Sequence, residues 1–471
     1  MAIVITNDII SANQFLIRTR NMIQMTIAQA AQLLDLHAAP AGVEFNGISI
    51  DTRTLKPGNL FIALPGQKVD GHDYLEEARQ KGAAAALVSR QVNSPLTQIV
   101  VKDTVAAMGK LAAAWRSQFQ LPIIAVTGSN GKTTLKNMIN SILIAACNGK
   151  QEDVLATQGT LNNHLGLPLT LAQLNNHHRY AVIEMGMNHF GEIDYLTKLT
   201  RPQVAVITNA ASAHLEGVGD VAGVARAKAE IFNGLPQQGT AVLNRDDDFY
   251  PYWLECIGHH ANISFGFHPE ADVTATLHPA TGTQHLTLQT PSGDVDIHLP
   301  LLGKHNALNA LAATAAALAI NIDLSAIKKG LESILPAQGR LQLHQLANGV
   351  KIIDDTYNAN PFSLQAAVDT LASFEGKKIL VLGDMRELGS EAKSLHHIAG
   401  QHIRQAGIDY LFTYGELSSS TAQAFGEGAY HFNEQDKLLN ALKPFLYNQT
   451  TILVKGSRSM RMEKVVAGLV Q

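Results

Sequence analysis

A glycine-rich loop that carries a lysine and two threonines has the residue types that bind phosphate. It follows the apolar run Ile123–Val126 and precedes a predicted helix, Leu135–Ala146. In a strand–loop–helix unit the backbone N–H groups face an anion, Lys132 neutralises the β- and γ-phosphates, and Thr133 offers a hydroxyl to Mg²⁺. Val126 stands where the general phosphate-loop pattern has glycine, so a glycine turn with an exposed lysine is the alternative. The nucleotide-binding residues predicted here are Gly128, Ser129, Asn130, Gly131, Lys132, Thr133 and Thr134.

Three further side chains are candidates for binding a metal ion near that loop. Glu184 ends the predicted strand Ala181–Ile183, and the carboxyl end of a parallel strand beside a phosphate loop is where Mg²⁺ needs an oxygen ligand. A lone glutamate at a strand end is otherwise only solvated. His214 follows the predicted strand Val204–Ile207, and Lys228 lies in a predicted helix. By residue type alone, the last two are more typical of a solvated surface.

Five polar residues further along the chain could contact a nucleotide. Asn306 either caps the alanine-rich helix that it opens or faces a ligand, whereas Asn309 lies one turn inside, where asparagine is a poor helix former. Arg340 follows a predicted hinge and could swing onto the γ-phosphate when two domains close. Asp354 and Asp355 end a strand, which is the usual place for ligand contacts in doubly wound sheets. We expect one of these two carboxylates to hold the ribose.

The loop at residues 128–134 resembles the nucleotide loop of the Mur ligase family, which folylpolyglutamate synthases share. Members of this family join a carboxylate to an amine with ATP, and the resemblance extends over nearly the whole chain after Thr26. It implies that His214 and Lys228 hold a second Mg²⁺, that CO₂ carbamylates Lys228, and that Asn309 contacts the adenine. The residues expected to carry catalysis are Lys132, Glu184, His214, Lys228 and Arg340, and the expected metal ligands are Thr133, Glu184, His214 and Lys228.

Four segments before residue 167 resemble the parts of the family that hold a UDP-muramoyl substrate. Residues 49–53, 57–64 and 70–74 are similar to the UDP-binding domain of members that add diaminopimelate or D-alanyl-D-alanine. Residues 157–166 are similar to the muramoyl-substrate loop, although Thr160 stands where asparagine is common. The resemblance implies substrate contacts from Ser49, Asp51, Thr52, Arg53, Thr157, Asn162 and Asn163.

The last third of the chain indicates the amine. The Asp-Asn-Pro-Arg run of diaminopimelate-adding members is absent, whereas residues 354–361, 383–389 and 455–459 resemble the members that use D-alanyl-D-alanine. The polar, mostly neutral groups suit a dipeptide with one free carboxylate, although residues 358–361 could be only a turn and a helix start. The implied amine-binding residues are Asn358, Asn360, Lys455, Ser457 and Arg458.

The resemblance implies that ATP phosphorylates the terminal carboxylate of UDP-N-acetylmuramoyl-tripeptide and that the amine of D-alanyl-D-alanine attacks the acyl phosphate. A ligase of the same family with another amine or a folate-like acid is one alternative. A nucleotide-switched binding protein is a more distant one. A GTPase switch would need an Asn-Lys-x-Asp guanine reader, and the nearest run, residues 244–247, has arginine in place of the lysine.

The pattern of elements predicts an α/β protein of three domains. A small α/β UDP-binding domain is expected at 26–120, a central P-loop-type ATPase domain with a parallel sheet at 121–337, and a Rossmann-like α/β domain at 338–471. Residues 1–25 are interpreted as an N-terminal extension with little structure. A β-hairpin is expected between Asp272 and Pro300, before a helix over about 306–319.

Composition limits the remaining possibilities. The chain of 471 residues has a formal charge of only -4 and no basic tract, which argues against nucleic acid as a partner. Its two cysteines, Cys147 and Cys256, cannot build a disulfide framework, which fits a reducing cytosol. We find no apolar run of membrane-spanning length, and polar residues interrupt any signal-like stretch before Met25. We therefore expect a cytoplasmic protein, most simply a monomer, with small-molecule substrates.

Overall fold

The computed structural model describes residues 22–36, 42–66, 69–211, 215–278, 283–336 and 338–470. Helices alternate with largely parallel sheets in three successive units, so the predicted α/β class and the three-domain arrangement are confirmed. Within the described residues, no helix is both long and apolar enough to cross a membrane.

The first domain contains one parallel and one antiparallel sheet. Its strands are β1 Gln24–Thr26, β2 Glu44–Asn46, β3 Ile48–Ser49, β4 Leu60–Ile62, β5 Ala85–Val88 and β6 Gln98–Val100. Its helices are α1 Ile27–Leu33, α2 Leu75–Gln80 and α3 Thr104–Arg116. Strands β3 to β6 pair in parallel in chain order, and β1 pairs antiparallel with β2.

The chain enters the first domain earlier than the boundary predicted at residue 26. Strand β1 begins at Gln24, the side chain of Ile23 is fully buried, and the Ile23 N–H donates to the carbonyl of Ala172 at 2.6 Å. An extension over residues 1–25 is therefore wrong at its last positions, because a buried apolar side chain and a strand anchor them. Residues 1–21 lie outside the described part of the chain.

The middle domain is built on a six-stranded parallel sheet. Its strands are β7 Ile123–Thr127, β8 Val154–Ala156, β9 Tyr180–Glu184, β10 Val204–Ile207, β11 Thr240–Asn244 and β12 Ala261–Phe265. The helices around it are α4 Lys132–Ala146, α5 Gly166–Leu171, α6 Glu192–Thr200, α7 Leu215–Val218, α8 Val221–Ala229 and α9 Tyr250–Cys256. The strand order is β12-β11-β10-β7-β9-β8. Ile124 and Val126 fill one core and Ile123 and Ala125 the other, so both faces of β7 are apolar.

A small antiparallel sheet follows, where the sequence predicted a two-stranded hairpin. It has three strands, β13 Thr274–His278, β14 Gln284–Thr290 and β15 Gly293–Leu299, with β14 in the centre. The predicted alternating region included the segment of the first strand, but the alternation was assigned to two strands only. Leu286 and Ile297 on the inner face pack into the core that contains two helices, α10 Lys304–Leu318 and α11 Leu324–Glu332.

The C-terminal domain is a second doubly wound unit. Its strands are β16 Gln342–Gln345, β17 Lys351–Asp355, β18 Lys377–Gly383, β19 Tyr410–Tyr414, β20 Ala429–Phe432 and β21 Thr450–Lys455. Its helices are α12 Pro361–Ala372, α13 Ala392–Gln405, α14 Ser419–Phe425, α15 Gln435–Leu442 and α16 Glu463–Val470. The order is β16-β17-β21-β18-β19-β20, with only β16 antiparallel to its neighbour among these strands. The last strand therefore lies between β17 and β18.

Candidate active site

Two glycines shape the phosphate loop. Gly128 has a φ of 150°, and a Cβ there would lie 1.7 Å from Oγ1 of Thr208. Gly131 has a φ of 83°, and a Cβ there would lie 2.6 Å from Oδ1 of Asn309. Both the backbone angle and the close neighbour exclude larger residues at Gly131. This glycine occupies the N-cap of α4, so the helix begins at Lys132, earlier than predicted.

Residues that follow β10 hold the loop in place. The N–H of Ser129 donates to the carbonyl of Asn209 at 3.0 Å, and the N–H of Asn130 donates to Oδ1 of Asn209 at 3.0 Å. Thr208 Oγ1 donates to the carbonyl of Asn130 at 2.6 Å. Sequence reasoning missed Thr208 and Asn209. Their position, directly after a buried strand beside β7, was the signal that could have identified them.

Lys132 folds back over its own loop. Its Nζ donates to the carbonyls of Gly128 at 2.6 Å and Ser129 at 3.3 Å. Burial lowers the pKa of Lys132, the Glu184 carboxylate opposes that shift, and the Arg340 guanidinium adds to it. The amine is thus held at the loop, where it can neutralise a bound phosphate.

Glu184 ends β9 with one carboxylate oxygen occupied and the other without a partner. Asn162 Nδ2 donates to Oε1 at 2.8 Å, and the Glu184 N–H donates to Oγ1 of Thr157 at 2.9 Å. Lys136 Nζ fixes the same segment through the Thr157 carbonyl at 2.9 Å. Oε2 is buried and has no hydrogen-bond partner within the described residues. An unpaired buried carboxylate oxygen is costly, so this atom fits a ligand of a cation.

Lys228 lies in the last turn of α8 and is only 2% exposed. Its Nζ has no hydrogen-bond or ion-pair partner in the part of the chain that the structure describes. Burial lowers the pKa of Lys228 well below its usual range, and the positive charge of Lys132 lowers it further. The helix-surface alternative is therefore wrong for Lys228. His214, its predicted companion, lies outside the described residues.

The hinge arginine already lies beside the phosphate loop. Arg340 follows Gly339, which has a φ of 69°, and its Nη2 donates to Oγ1 of Thr133 at 3.4 Å. The guanidinium carbon lies 4.2 Å from the centre of the Tyr357 ring. The aromatic face and the hydroxyl orient the cation toward the loop, which is where a γ-phosphate would need it.

Two buried asparagines of α10 face the loop from the other side. Asn306 does not cap this helix, because Gly303 occupies the N-cap and the helix begins at Lys304. Instead, Asn306 Nδ2 donates to the carbonyl of Leu302 at 2.7 Å, and Asn309 Nδ2 donates to Oδ1 of Asn306 at 3.4 Å. This chain of contacts orients Asn309 next to Gly131.

The two carboxylates that end β17 have different surroundings. Oδ1 of Asp354 accepts hydrogen bonds from the N–H and the hydroxyl of Thr356, at 3.1 and 2.6 Å, within a local turn. Oδ2 of Asp355 accepts from Nζ of Lys455 at 2.5 Å. Burial raises the pKa of Asp355, and the Lys455 charge opposes that shift. Asp355, unlike Asp354, lines the cavity described below.

Asn360 both begins a helix and reaches the phosphate loop. Its side-chain carbonyl accepts from the N–H of Ser363 at 2.8 Å, which makes Asn360 the N-cap of α12. Residues 358–361 thus form a helix start, as the alternative interpretation of the sequence had it. Its Nδ2 donates to Oδ1 of Asn130 at 2.9 Å. Asn358 lines the same space, and its carbonyl accepts from Lys455 at 3.0 Å.

Two predicted amine-binding residues lie apart from that space. Ser457 is buried, and its Oγ accepts from the N–H of Arg386 at 2.8 Å, so it supports a loop. The side chain of Arg458 is 66% exposed and pairs with Glu463 at 3.5 Å. Arg386 itself lines the cavity and was not predicted.

A cavity of about 630 Å³ opens between the middle and C-terminal domains. It brings together predicted residues from both domains, namely Ser129, Asn130, Gly131, Lys132, Thr133, Thr134, Asn162, Glu184, Asn309, Arg340, Asp355, Asn358, Asn360 and Lys455. A phosphate loop, a strand-end carboxylate and polar groups of a second domain therefore face one volume.

The residues predicted to bind UDP form a separate group in the first domain. Arg53 pairs with Asp51 at 2.6 Å, and the hydrogen bonds from Arg53 lower the pKa of Asp51 to about 2. Ser49 Oγ donates to the carbonyl of Asp51 at 2.9 Å, while Thr52 is buried. Asn163, predicted at the muramoyl loop, is exposed.

Comparison with known proteins decides the family. Models of the Mur ligase family catalytic domain, the Mur ligase middle domain and the Mur ligase glutamate ligase domain match residues 44–116, 126–317 and 339–458. The UDP-N-acetylmuramoyl-tripeptide--D-alanyl-D-alanine ligase of Escherichia coli (strain K12) is 44% identical over 454 residues, which cover 95% of this chain and 99% of that protein. The chain belongs to the Mur ligase family. As a member, it is an ATP-dependent ligase.

This Mur ligase is also similar to solved structures over most of its length. MurF from Acinetobacter baumannii is 37% identical with a TM-score of 0.89, covering 96% of this chain and 99% of that one. The MurF ligase from Thermotoga maritima, solved in complex with ADP, is 26% identical with a TM-score of 0.80, covering 90% and 97%.

Proposed function

We propose that this Mur ligase joins D-alanyl-D-alanine to UDP-N-acetylmuramoyl-tripeptide with ATP and so forms the UDP-muramoyl-pentapeptide precursor of peptidoglycan. The observation that carries the proposal is the shared cavity, where the phosphate loop and Glu184 face Asn358 and Asn360 of the C-terminal domain. A full-length relative with this activity in its name, at 44% identity, supports the choice of substrates.

The reaction follows from the poor electrophilicity of a carboxylate. Transfer of the γ-phosphoryl group to the terminal carboxylate of the tripeptide supplies a leaving group. The amine of D-alanyl-D-alanine then attacks the acyl carbon, an amide bond forms, and phosphate leaves. Lys132 and Arg340 neutralise charge on the phosphoryl oxygens, and the two domains hold acid and amine close together.

Two Mg²⁺ ions would bind beside the loop. Thr133 and Glu184 would hold the first, and His214 and Lys228 the second. Bound Mg²⁺ offsets the negative charge of the phosphoryl oxygens. A lysine ammonium offers only N–H donors and repels a cation, so Lys228 would act as a carbamate formed with CO₂. The burial of Lys228 and the lowered pKa of its amine support this chemistry, because the neutral amine is the form that reacts with CO₂.

The remaining contacts are assigned by position. Asn309 would contact the adenine and Asp355 the ribose, since both line the cavity. The UDP-muramoyl substrate would bind Ser49, Asp51, Thr52, Arg53, Thr157, Asn162 and Asn163. The amine would bind Asn358, Asn360 and Lys455, whereas Ser457 and Arg458 lie apart from the cavity and would not contact it. We propose domain boundaries at 120/121 and 337/338, with the first domain beginning before residue 26, and a cytoplasmic monomer.

The test is phosphate release from ATP with each acid and amine supplied in turn. We expect turnover with UDP-N-acetylmuramoyl-tripeptide and D-alanyl-D-alanine together, and none when either is omitted. Meso-diaminopimelate should not replace the dipeptide, because the chain lacks the Asp-Asn-Pro-Arg run. Comparable kcat/KM for the two amines, or turnover with a folate-like acid and glutamate instead, would refute the proposed specificity.

A further inference from the structure

Three histidines form a row on the outer face of the small antiparallel sheet. His278 on β13 pairs in register with His285 on β14, which in turn pairs with His298 on β15. Because side chains alternate along a strand, Thr287 and Asp296 lie on this same face, in the next row. The opposite face is apolar and packs into the middle-domain core. The row is therefore a polar surface on a firmly anchored sheet.

The side chains of this row are close together. The ring centres of His278 and His285 are 4.5 Å apart, and those of His285 and His298 are 4.7 Å apart. Nε2 of His285 lies 4.0 Å from Oδ1 of Asp296. One ligand atom from each of His278, His285 and Asp296 lies within 4.8 Å of the others. Among the described residues, this is the one group of three or more such side chains with that spacing.

We propose that His278, His285 and Asp296 bind a Zn²⁺ ion, or a first-row ion of similar character, at a site separate from the catalytic cavity. Zinc bonds of about 2.0–2.2 Å place tetrahedral ligands roughly 3.4 Å apart, so the widest pair here must approach by only about 1.4 Å. Two imidazoles and one carboxylate favour zinc over magnesium, which prefers oxygen ligands. Water completes the coordination.

Thr287 holds two of the three ligands in place. Its hydroxyl donates to Oδ1 of Asp296 at 2.6 Å and lies 2.7 Å from Nε2 of His278. The hydrogen bond from Thr287 is the largest cause that lowers the pKa of Asp296, so the carboxylate is kept in the charged form that binds metal. Partners of this kind orient ligands and raise metal affinity.

The nearby positive charge is largely compensated. Lys328 Nζ donates to the backbone carbonyl of Asp296, and this ammonium charge so close to the site would weaken binding of a metal ion. The Lys328 ammonium also pairs with the Glu332 carboxylate at 2.7 Å, which offsets its charge. Glu332 accepts the backbone N–H of His298 at 3.0 Å and so fastens β15 to α11. A bound ion would therefore link all three strands of a sheet that is already attached to this helix.

The experiment is a Zn²⁺ titration of tag-free, chelator-treated protein against a chromophoric competitor, without nucleotide. A parallel titration with Co²⁺ would record visible absorption. We expect the variants His285→Ala and Asp296→Asn each to weaken Zn²⁺ binding by about tenfold or more and to lose the Co²⁺ band of the wild type. The control His397→Ala removes an exposed histidine of α13 and should bind like the wild type.

Both ligand variants are at exposed or half-exposed positions, so they should fold, and circular dichroism checks this. Ligase turnover is not the readout, so a failed substrate assignment would leave this result unaffected. Equal Zn²⁺ affinity in the wild type, His285→Ala and Asp296→Asn would overturn the site. Absence of Zn²⁺ binding to the wild type at about 100 μM Zn²⁺ would also overturn it, since a Kd of that size corresponds to a binding free energy of only roughly -5 kcal/mol.

Discussion

Replacement of Lys228 separates a chemical role from a structural one. Its side chain is buried, and no hydrogen bond or ion pair joins its amine to another described residue. Burying an unsatisfied polar group costs about 1–3 kcal/mol, and more if it is charged. Methionine fills a similar volume without a polar atom. In bicarbonate-free buffer, Lys228→Met should therefore be as stable as the wild type or more stable, because no favourable contact is lost.

Activity should respond in the opposite direction. If the carbamate of Lys228 is a metal ligand, both Lys228→Met and Lys228→Ala lose it, and kcat should fall by about 10³-fold, or about 4 kcal/mol of transition-state stabilisation. Phosphate release from ATP measures this. Acetate or formate should partly restore Lys228→Ala, by filling the vacated space with carboxylate oxygens, but not Lys228→Met, where the space is filled.

The matched control is Arg226→Met, which removes an exposed cation from the same helix. It should keep wild-type turnover, because Arg226 is exposed and lies over the ring of Phe190, at 5.8 Å, outside the cavity lining. Depleting bicarbonate should slow the wild type and leave Lys228→Met unchanged. Full activity in Lys228→Ala or Lys228→Met would refute the reasoning, since a folded protein without the side chain would then need no carbamate.

Two other perturbations follow from the site. Lys132→Ala should lower kcat/KM in the phosphate-release assay by about 10³-fold with the fold retained, because the charge at the γ-phosphate is lost. The control Lys150→Ala changes an exposed residue just after the same helix and should leave kcat/KM unchanged. Near-normal turnover in Lys132→Ala would contradict the loop assignment. Burial, together with the Lys455 charge, lowers the pKa of His305 in the folded protein to about 4. In the unfolded chain its pKa is about 6.5, so as pH falls below that value the unfolded state takes up the proton before the folded state does. Stability should decline between about pH 6.5 and 4, and His305→Gln should flatten that decline in urea titrations; an unchanged pH profile would contradict the assignment.

Much of the fold could be predicted because the strands of the two large sheets are short apolar runs. Val204–Ile207 was predicted with the bounds that β10 has, since both of its faces are buried. The three-stranded sheet was harder. Its first strand, Thr274–His278, alternates polar and apolar residues as the next two strands do, and alternation alone does not give the number of strands. The start of the first domain was missed because a three-residue strand gives little periodicity.

The site was predictable where a motif and a strand end coincide, as at Lys132 and Glu184. It was not predictable where residues act through contacts distant in sequence. Nothing local indicates that Asn360 donates to Asn130, because that hydrogen bond depends on how the two domains pack. Likewise, Asp354 and Asp355 are equivalent in the sequence. They differ only after folding, because Asp354 forms a turn with Thr356 and Asp355 pairs with Lys455.

The position of β21 has a consequence for synthesis of the chain. This strand, Thr450–Lys455, joins β17 to β18, so the C-terminal sheet remains in two halves until β21 itself has left the ribosome. It also carries Lys455, which completes the pair with Asp355. A premature stop before residue 450 would leave two unpaired strand edges in the nascent domain, which is a state prone to aggregation. Loss of β21 should therefore yield a substrate for chaperones and proteases instead of a weakened enzyme.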